Sequence, residues 1–290
     1  MAERFPQRNL SNLGQRGIAG RSNASASQMM PTEFTRVLPM TGIHNFRDYG
    51  GYAVAGGRRV VTGKLYRSAQ HLEATADDLA RVAVLNLSTV TDLRGLRERQ
   101  AAPCPRPASF SAEIISTDAE TASVAPHLEA MQGVDDAKAM YQRMLMVYDD
   151  IAFRPALNAL ITRYFAALAA HNGASLIHCL AGKDRTGLAV ALLHHLLGVH
   201  RDDMMADYLL TNTVGDIEAR IAAGARSVSS ATRRQISDAA MRVIMSVRPE
   251  YLDHALAAIT ARHGSIDTYL HDAHAIDAAK ADAIRHNFLV

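Results

Sequence analysis

The amino-acid sequence predicts an α/β protein, a mostly parallel central sheet flanked by helices, with extra helices toward the C-terminus. Three observations carry that reading. Short apolar runs at 87–93 and 174–177 have the length and composition of buried strands. Stretches of helical composition lie between and after them, as parallel strands joined by crossovers require. Everything from Asp202 onward also reads as helix, apart from a softer Ser- and Arg-rich patch at 224–234.

Residues 1–35 carry several Arg among Ser, Asn, Gly and Gln, without the apolar stretch of a signal peptide, and are expected to be a mobile leader. Residues 36–290 are expected to form a single domain. Glycines around Asn45-Phe46-Arg47-Asp48, and the Gly56-Gly57 turn before Arg59-Val60-Val61, predict short strands and turns. Thr75 is placed to cap a helix from Ala76 to about Val84, with Asp77 and Asp78 in its first turn, where the helix dipole favours acids. After the strand at 87–93, Pro103, Pro105 and Pro107 force a loop. Helices are predicted at 136–147 and 155–170, the second closed by Asn172-Gly173, and an apolar helix at 188–197 stops at Gly198.

Of the 290 residues 48% are hydrophobic, enough for a sizeable core. The 31 Lys and Arg against 29 Asp and Glu argue against a nucleic-acid binder driven by bulk charge. The longest near-apolar run, 188–199, is interrupted by His194 and His195, so no membrane span is expected, although transient contact with a membrane surface is compatible with the sequence. Cys104 and Cys179 are too few for a disulfide framework or a paired-thiolate zinc pattern, which points to a reducing, cytoplasmic setting. His194, His195 and His200 lack an acid at helical spacing and are read as core and edge residues, so no metal and no organic cofactor is expected.

The chemistry is concentrated in His178-Cys179-Leu180-Ala181-Gly182-Lys183-Asp184-Arg185-Thr186-Gly187, between a predicted strand and a predicted helix. A thiol attacks phosphorus as the thiolate, and a cysteine at a helix entry ringed by loop amides is favoured in that form. Cys179 is therefore the candidate nucleophile. The amides from Leu180 through Gly187 can cradle a phosphate dianion, with Gly182 relieving crowding. Arg185 returns to the rim, where its guanidinium can grip phosphate oxygens in a fork. Thr186 can hydrogen-bond the sulfur and ease its departure when water hydrolyses a phospho-enzyme. His178 is read as an orienting residue, and Lys183 as either a solvated charge or a substrate contact. A proton donor is also needed: Asp92, at the end of its strand, comes first, with Asp184 and then Asp149 or Asp150 as alternatives that spacing does not separate. A nucleotide-binding P-loop is excluded, because Ile177 and Asp184 stand where that motif needs Gly and Ser or Thr.

His178 to Thr186 matches in full the signature of the protein tyrosine phosphatase superfamily, His-Cys followed by five residues, Arg and Ser or Thr. With Gly-Lys-Asp-Arg-Thr-Gly inside, the chain resembles a bacterial atypical branch of that superfamily. Asn45-Phe46-Arg47-Asp48 with Gly50-Gly51, Leu65-Tyr66-Arg67-Ser68, Thr91-Asp92-Leu93-Arg94 and Asp207-Tyr208-Leu209-Leu210-Thr211-Asn212 are similar to the same branch, so the likeness spans about Val37 to the C-terminus. The resemblance implies a cysteine-dependent phosphatase acting on phosphotyrosine, and on some phosphoserine, phosphothreonine and phosphoinositides. It places the proton donor on Asp92, assigns Lys183 and Asp184 to the binding of phosphoinositide head groups, and implies a helical lid, for which 202–240 is the candidate region. Cys104 has no counterpart in the pattern; pairing with Cys179 under oxidation is one reading of it. The competing readings are a catalytically inactive phosphate-binding module and, less well supplied with cysteines, arsenate reduction.

Overall fold

The computed structural model describes residues 35–122, 136–214, 217–218, 221–222 and 237–290. All but the last residue of the expected leader, and most of 215–236 within the candidate lid, lie outside the described residues. The strands are β1 (Arg47–Asp48), β2 (Leu65–Ser68), β3 (Leu87–Asp92), β4 (Glu113–Ile115) and β5 (Ala174–His178). They form one sheet in the order β1-β2-β5-β3-β4, antiparallel between β1 and β2 and parallel elsewhere. In register, His178 of β5 pairs with Ser68 on one side and Asp92 on the other, so three strands end side by side at the carboxyl edge. Ligands collect at that edge in open α/β sheets.

The helices are α1 (Ala76–Val84), α2 (Leu96–Ala101), α3 (Ala137–Ile151), α4 (Pro155–Ala170), α5 (Asp184–Leu197), α6 (Arg201–Leu209), α7 (Asp238–Met245), α8 (Pro249–His263), α9 (Ile266–His274) and α10 (Ala278–Phe288). The α1 entry is a reciprocal capping box: Asp78 N–H donates to Thr75 Oγ1 at 3.1 Å and Thr75 N–H to Asp78 Oδ2 at 3.0 Å. Helix α5 ends at Gly198, whose φ of +81° is the left-handed stop expected of glycine.

Alternation along the strands sends neighbours to opposite faces. Leu65 and Ile177 enter a large core built mainly from α3 to α10, whereas Tyr66 and Leu176 enter a smaller one with Ile43, Phe46 and Val82 of α1. Helix α5 is buried on nearly its whole circumference, which explains an apolar run interrupted by histidine: His194 Nε2 meets the Tyr49 carbonyl at 2.8 Å within the core.

Helix α2 and strand β4, like the four-residue β2, were not predicted as elements. Helix α2 has no buried residue, so no apolar period marks it, and β4 is only three residues long. Helix α5 begins at Asp184, four residues before the apolar run from Leu188, because Asp184 to Gly187 form its first turn at the loop. Of the candidate lid region, α6 is part of the core: Asp207 and Tyr208 are buried.

Candidate active site

Strand β5 delivers the chain to Cys179, and α5 starts five residues later with Lys183 as N-cap and no side chain capping its first amides. Uncapped N–H groups at the start of a helix are donors for an anion. Gly182 has φ +65°, and a Cβ there would stand 2.3 Å from the Ser68 carbonyl oxygen, so glycine alone fits the bend. A Cβ on Gly187 would meet the Tyr208 ring at 2.8 Å, which ties the last glycine of the motif to α6. In the loop only Leu180 and Ala181 are partly exposed and form its mouth; Cys179 is 2% exposed.

The other motifs brace this loop from outside. The Gly182 carbonyl accepts Asn45 Nδ2 at 2.7 Å and Arg67 Nη2 at 3.0 Å. Arg67 Nη1 pairs with Asp207 Oδ2 at 2.7 Å, while Arg47 reaches Asp207 Oδ1 with Nε at 3.2 Å and the Asp207 carbonyl with Nη2 at 2.8 Å. Burial alone would raise the Asp207 carboxyl, but Arg47 and Arg67 outweigh it and hold it well below the carboxylate range. A carbonyl drawn outward by two donors leaves the amide edge of the loop for the anion.

Arg185 is fully buried and fixed on its outer side. Its Nη1 donates to Glu98 Oε2 at 2.5 Å, Thr121 Oγ1 at 2.9 Å and the Leu93 carbonyl at 3.2 Å, and Nη2 donates to Glu98 Oε1 at 2.7 Å. Burial works against the guanidinium charge, but the Glu98 hydrogen bonds and the nearby negative charges more than offset it. Nε finds no acceptor among the described residues, so one donor of the fork remains unused. Thr186 Oγ1 is likewise buried without a hydrogen-bond partner among them. Sequence reasoning missed Glu98 and Thr121. The one signal for Glu98 was its position three residues after Gly95, where its carboxylate accepts the Gly95 N–H at 3.1 Å and caps α2.

The candidate acids fall in different settings. Asp92 accepts Arg94 Nε on Oδ1 at 2.9 Å and Arg94 Nη2 on Oδ2 at 2.7 Å, with His178 Nε2 3.7 Å from Oδ2. Burial pushes its carboxyl up, but the attraction of a charged His178 and the Arg94 hydrogen bonds and charge prevail and hold it well below the usual range, and above the His178 pKa it is Arg94 that does so. His178 itself is depressed to about 4, by burial working against the attraction of Asp92, so the imidazole is neutral at physiological pH. Asp184 accepts the Tyr148 hydroxyl at 2.7 Å, and Tyr148 in turn meets the Tyr208 hydroxyl at 2.7 Å. Asp149 and Asp150 stand apart in surface pairs with His254 and Arg154.

Lys183 is 1% exposed, with its ammonium on the Ile244 carbonyl, the Ser246 carbonyl at 3.2 Å and Asp184 at 3.5 Å. It therefore ties the loop to the C-terminal end of α7. Cys104 and Cys179 are both free thiols. Cys104 Sγ accepts the His71 N–H at 3.2 Å and Arg94 Nη2 at 3.1 Å.

An anion cradle with a cysteine at its base and a braced guanidinium at its rim is what phosphoryl transfer through sulfur requires. Comparison with known proteins gives the family. A putative tyrosine-protein phosphatase of Cupriavidus necator is 35% identical over 252 residues, covering 84% of this chain and 86% of the relative. The triple specificity protein phosphatase PtpB of Mycobacterium tuberculosis is 31% identical over 271 residues, 82% of this chain and 94% of the relative. The model of the tyrosine phosphatase family matches residues 38–290, and the chain belongs to that family.

Proposed function

We propose that the chain hydrolyses phosphomonoesters through a phosphocysteine on Cys179, acting on phosphotyrosine proteins and also on phosphoserine, phosphothreonine and phosphoinositides. The observation that carries this reading is the Arg185 fork: Glu98 and Thr121 hold Nη1 and Nη2 while Nε–H, six residues after Cys179 in the first turn of α5, has no acceptor among the described residues. The breadth of substrate is taken from the name of the Mycobacterium tuberculosis relative and from the resemblance of the loop.

In the first step the Cys179 thiolate attacks phosphorus, the ester P–O bond breaks, and the leaving oxygen takes up a proton. In the second, water attacks the phosphocysteine, the P–S bond breaks and the thiolate is restored, with Thr186 hydrogen-bonding the departing sulfur. Arg185 and the loop amides stabilise the equatorial oxygens in both steps. Asp92 handles the proton. The Arg94 contacts favour its carboxylate, the form that accepts a proton from the attacking water, and the same proton then serves the next leaving group. Asp184 is the alternative proton carrier, since it also lines the loop and shares a hydrogen bond with Tyr148. Lys183 and Asp184 could serve inositol head groups only after Lys183 exchanges its α7 carbonyls for substrate oxygens. Two free thiols fit a reducing, cytoplasmic setting, and among the described residues no helix is long and apolar enough to cross a membrane.

The test is phosphate release by wild type and Cys179→Ser from a phosphotyrosine peptide and a phosphoinositide panel, with reductant and chelator present. Cys179-dependent release is expected, and the peptide-to-lipid ratio sets the preferred class. Phosphate binding without release from any substrate would mean an inactive binding module.

A further inference from the structure

Two successive residues of the phosphate loop are held from outside, and both holds lead to one short turn. Asn45, whose Nδ2 donates to the Gly182 carbonyl, stands 3.5 Å from Thr211 Oγ1. The next loop residue, Lys183, is tied to the end of α7, where its ammonium donates to the Ile244 carbonyl and, at 3.2 Å, to the Ser246 carbonyl. Asn212 follows Thr211 in the 3₁₀ turn Leu210–Asn212 and grips the residue just beyond those carbonyls. Its Oδ1 accepts the Val247 N–H at 2.8 Å, and its Nδ2 donates to the Val247 carbonyl at 2.9 Å. A backbone N–H only donates and a carbonyl only accepts, so these partners fix which way the amide points.

We propose that Asn212 is a positioning residue for phosphate binding: it clamps the α7–α8 connection, the connection holds the Lys183 ammonium, and Lys183 holds the entry of α5 in its anion-binding shape. The inference rests on the phosphate reading of the loop proposed above. Val247 is 2% exposed and lies between the end of α7 at Met245 and the start of α8 at Pro249, outside both helices. Buried backbone groups there need partners from elsewhere. A carboxamide offers a donor and an acceptor side by side and so satisfies both groups of one residue, whereas aspartate lacks the donor and leucine lacks both.

The next link is electrostatic. Lys183 is 1% exposed, and a buried ammonium is costly without acceptors. The last carbonyls of a helix carry partial negative charge and supply them. Lys183 is also the N-cap of α5, and its own carbonyl accepts the Gly187 N–H at 2.7 Å, so its backbone starts the helix whose first amides belong to the loop. A displaced α7–α8 connection therefore displaces the side chain of the residue from which α5 begins. Coupling of this kind is reciprocal: phosphate in the loop should in turn steady the connection.

The test measures phosphate affinity by equilibrium titration in the Cys179→Ser chain, which separates binding from turnover. Adding Asn212→Ala should weaken phosphate about fivefold and adding Lys183→Met roughly tenfold. The two together should cost no more than Lys183→Met alone, because Asn212 acts through it. In the chain that retains Cys179, Asn212→Ala should raise KM while the dependence of kcat on the leaving group keeps its wild-type slope. Asn287→Ala is the control: Asn287 Nδ2 donates to the Leu168 and Ala169 carbonyls at 3.0 and 3.2 Å, so its loss should lower stability and leave phosphate affinity unchanged. Hydrogen exchange supplies an arm that leaves Asn212 intact, in which phosphate should slow exchange of the Ser246 and Val247 amides. Unchanged affinity in Asn212→Ala, losses that add, or exchange at 246–247 indifferent to bound phosphate would each overturn the role of Asn212. A Cys179→Ser chain that binds no phosphate would overturn the reading of the loop itself, and the inference with it.

Discussion

On the β3 side of the phosphate loop each carboxylate is gripped by a guanidinium, Asp92 by Arg94 and Glu98 by Arg185, whereas on the α5 side Asp184 rests against a tyrosine hydroxyl, with Lys183 anchored to the end of α7. Arginine pairs fix both charge and direction, because the planar fork admits one approach to a carboxylate. A hydroxyl and a flexible ammonium fix position less strictly. The β3 side therefore holds its charges the more rigidly, while the α5 side connects the loop with the helices behind it.

The largest expected effect lies between the two sides. Cys179→Ser should reduce turnover to background while phosphate still binds, measured by product release and by equilibrium titration; near wild-type turnover would mean that another group is the nucleophile. Next comes the contrast of the two acids. Asp92→Asn should slow poor leaving groups by roughly 10²–10⁴-fold and good ones far less, and Asp184→Asn should affect both alike by a smaller factor. The reverse pattern in a leaving-group series would transfer proton handling to the α5 side.

Glu98→Gln tests whether the β3 side holds Arg185 in place. It removes a charge from a buried hydrogen-bonded pair, and about a tenfold loss in phosphate affinity is expected, seen as a higher KM and a weaker phosphate inhibition constant. Unchanged affinity would mean that Thr121 and the Leu93 carbonyl suffice.

Acid should destabilise the fold through two buried histidines. His178 and, at the far end of α9, His274 are each pushed by burial to about 4, from about 6.5 in an unfolded chain. The unfolded state thus binds more protons between those values, so the stability these groups provide is present above about 6.5 and is lost as pH falls toward 4. Thermal unfolding followed across that window should show a falling midpoint, and His274→Asn should reduce the slope without touching the site. The smallest effect should be Tyr148→Phe, which deletes one hydroxyl from Asp184 and should cost about 1 kcal/mol in denaturant unfolding, with little change in KM.

Much of this is legible in the chain alone. The Thr75 cap, the strands ending at Asp92 and His178, and the cysteine loop itself are local patterns, read from neighbouring residues alone. Glu98 was not legible, because α2 has no apolar period and the meaning of its carboxylate depends on Arg185, 87 positions away. Nor could spacing choose among Asp92, Asp184, Asp149 and Asp150: all are plausible acids in one dimension, and only packing sends the last two to surface pairs with His254 and Arg154.

By itself the sequence determined which chemistry is available: a thiol, an arginine and a run of loop amides at a spacing set by the backbone. Tertiary structure decided which charges surround it. The Arg47–Arg67–Asp207 brace, the Glu98 grip on Arg185 and the approach of Cys104 to His178 and Asp92 join segments far apart in the chain. Electrostatic interactions depend on distance and burial, and both exist only once the sheet has brought those segments to one edge.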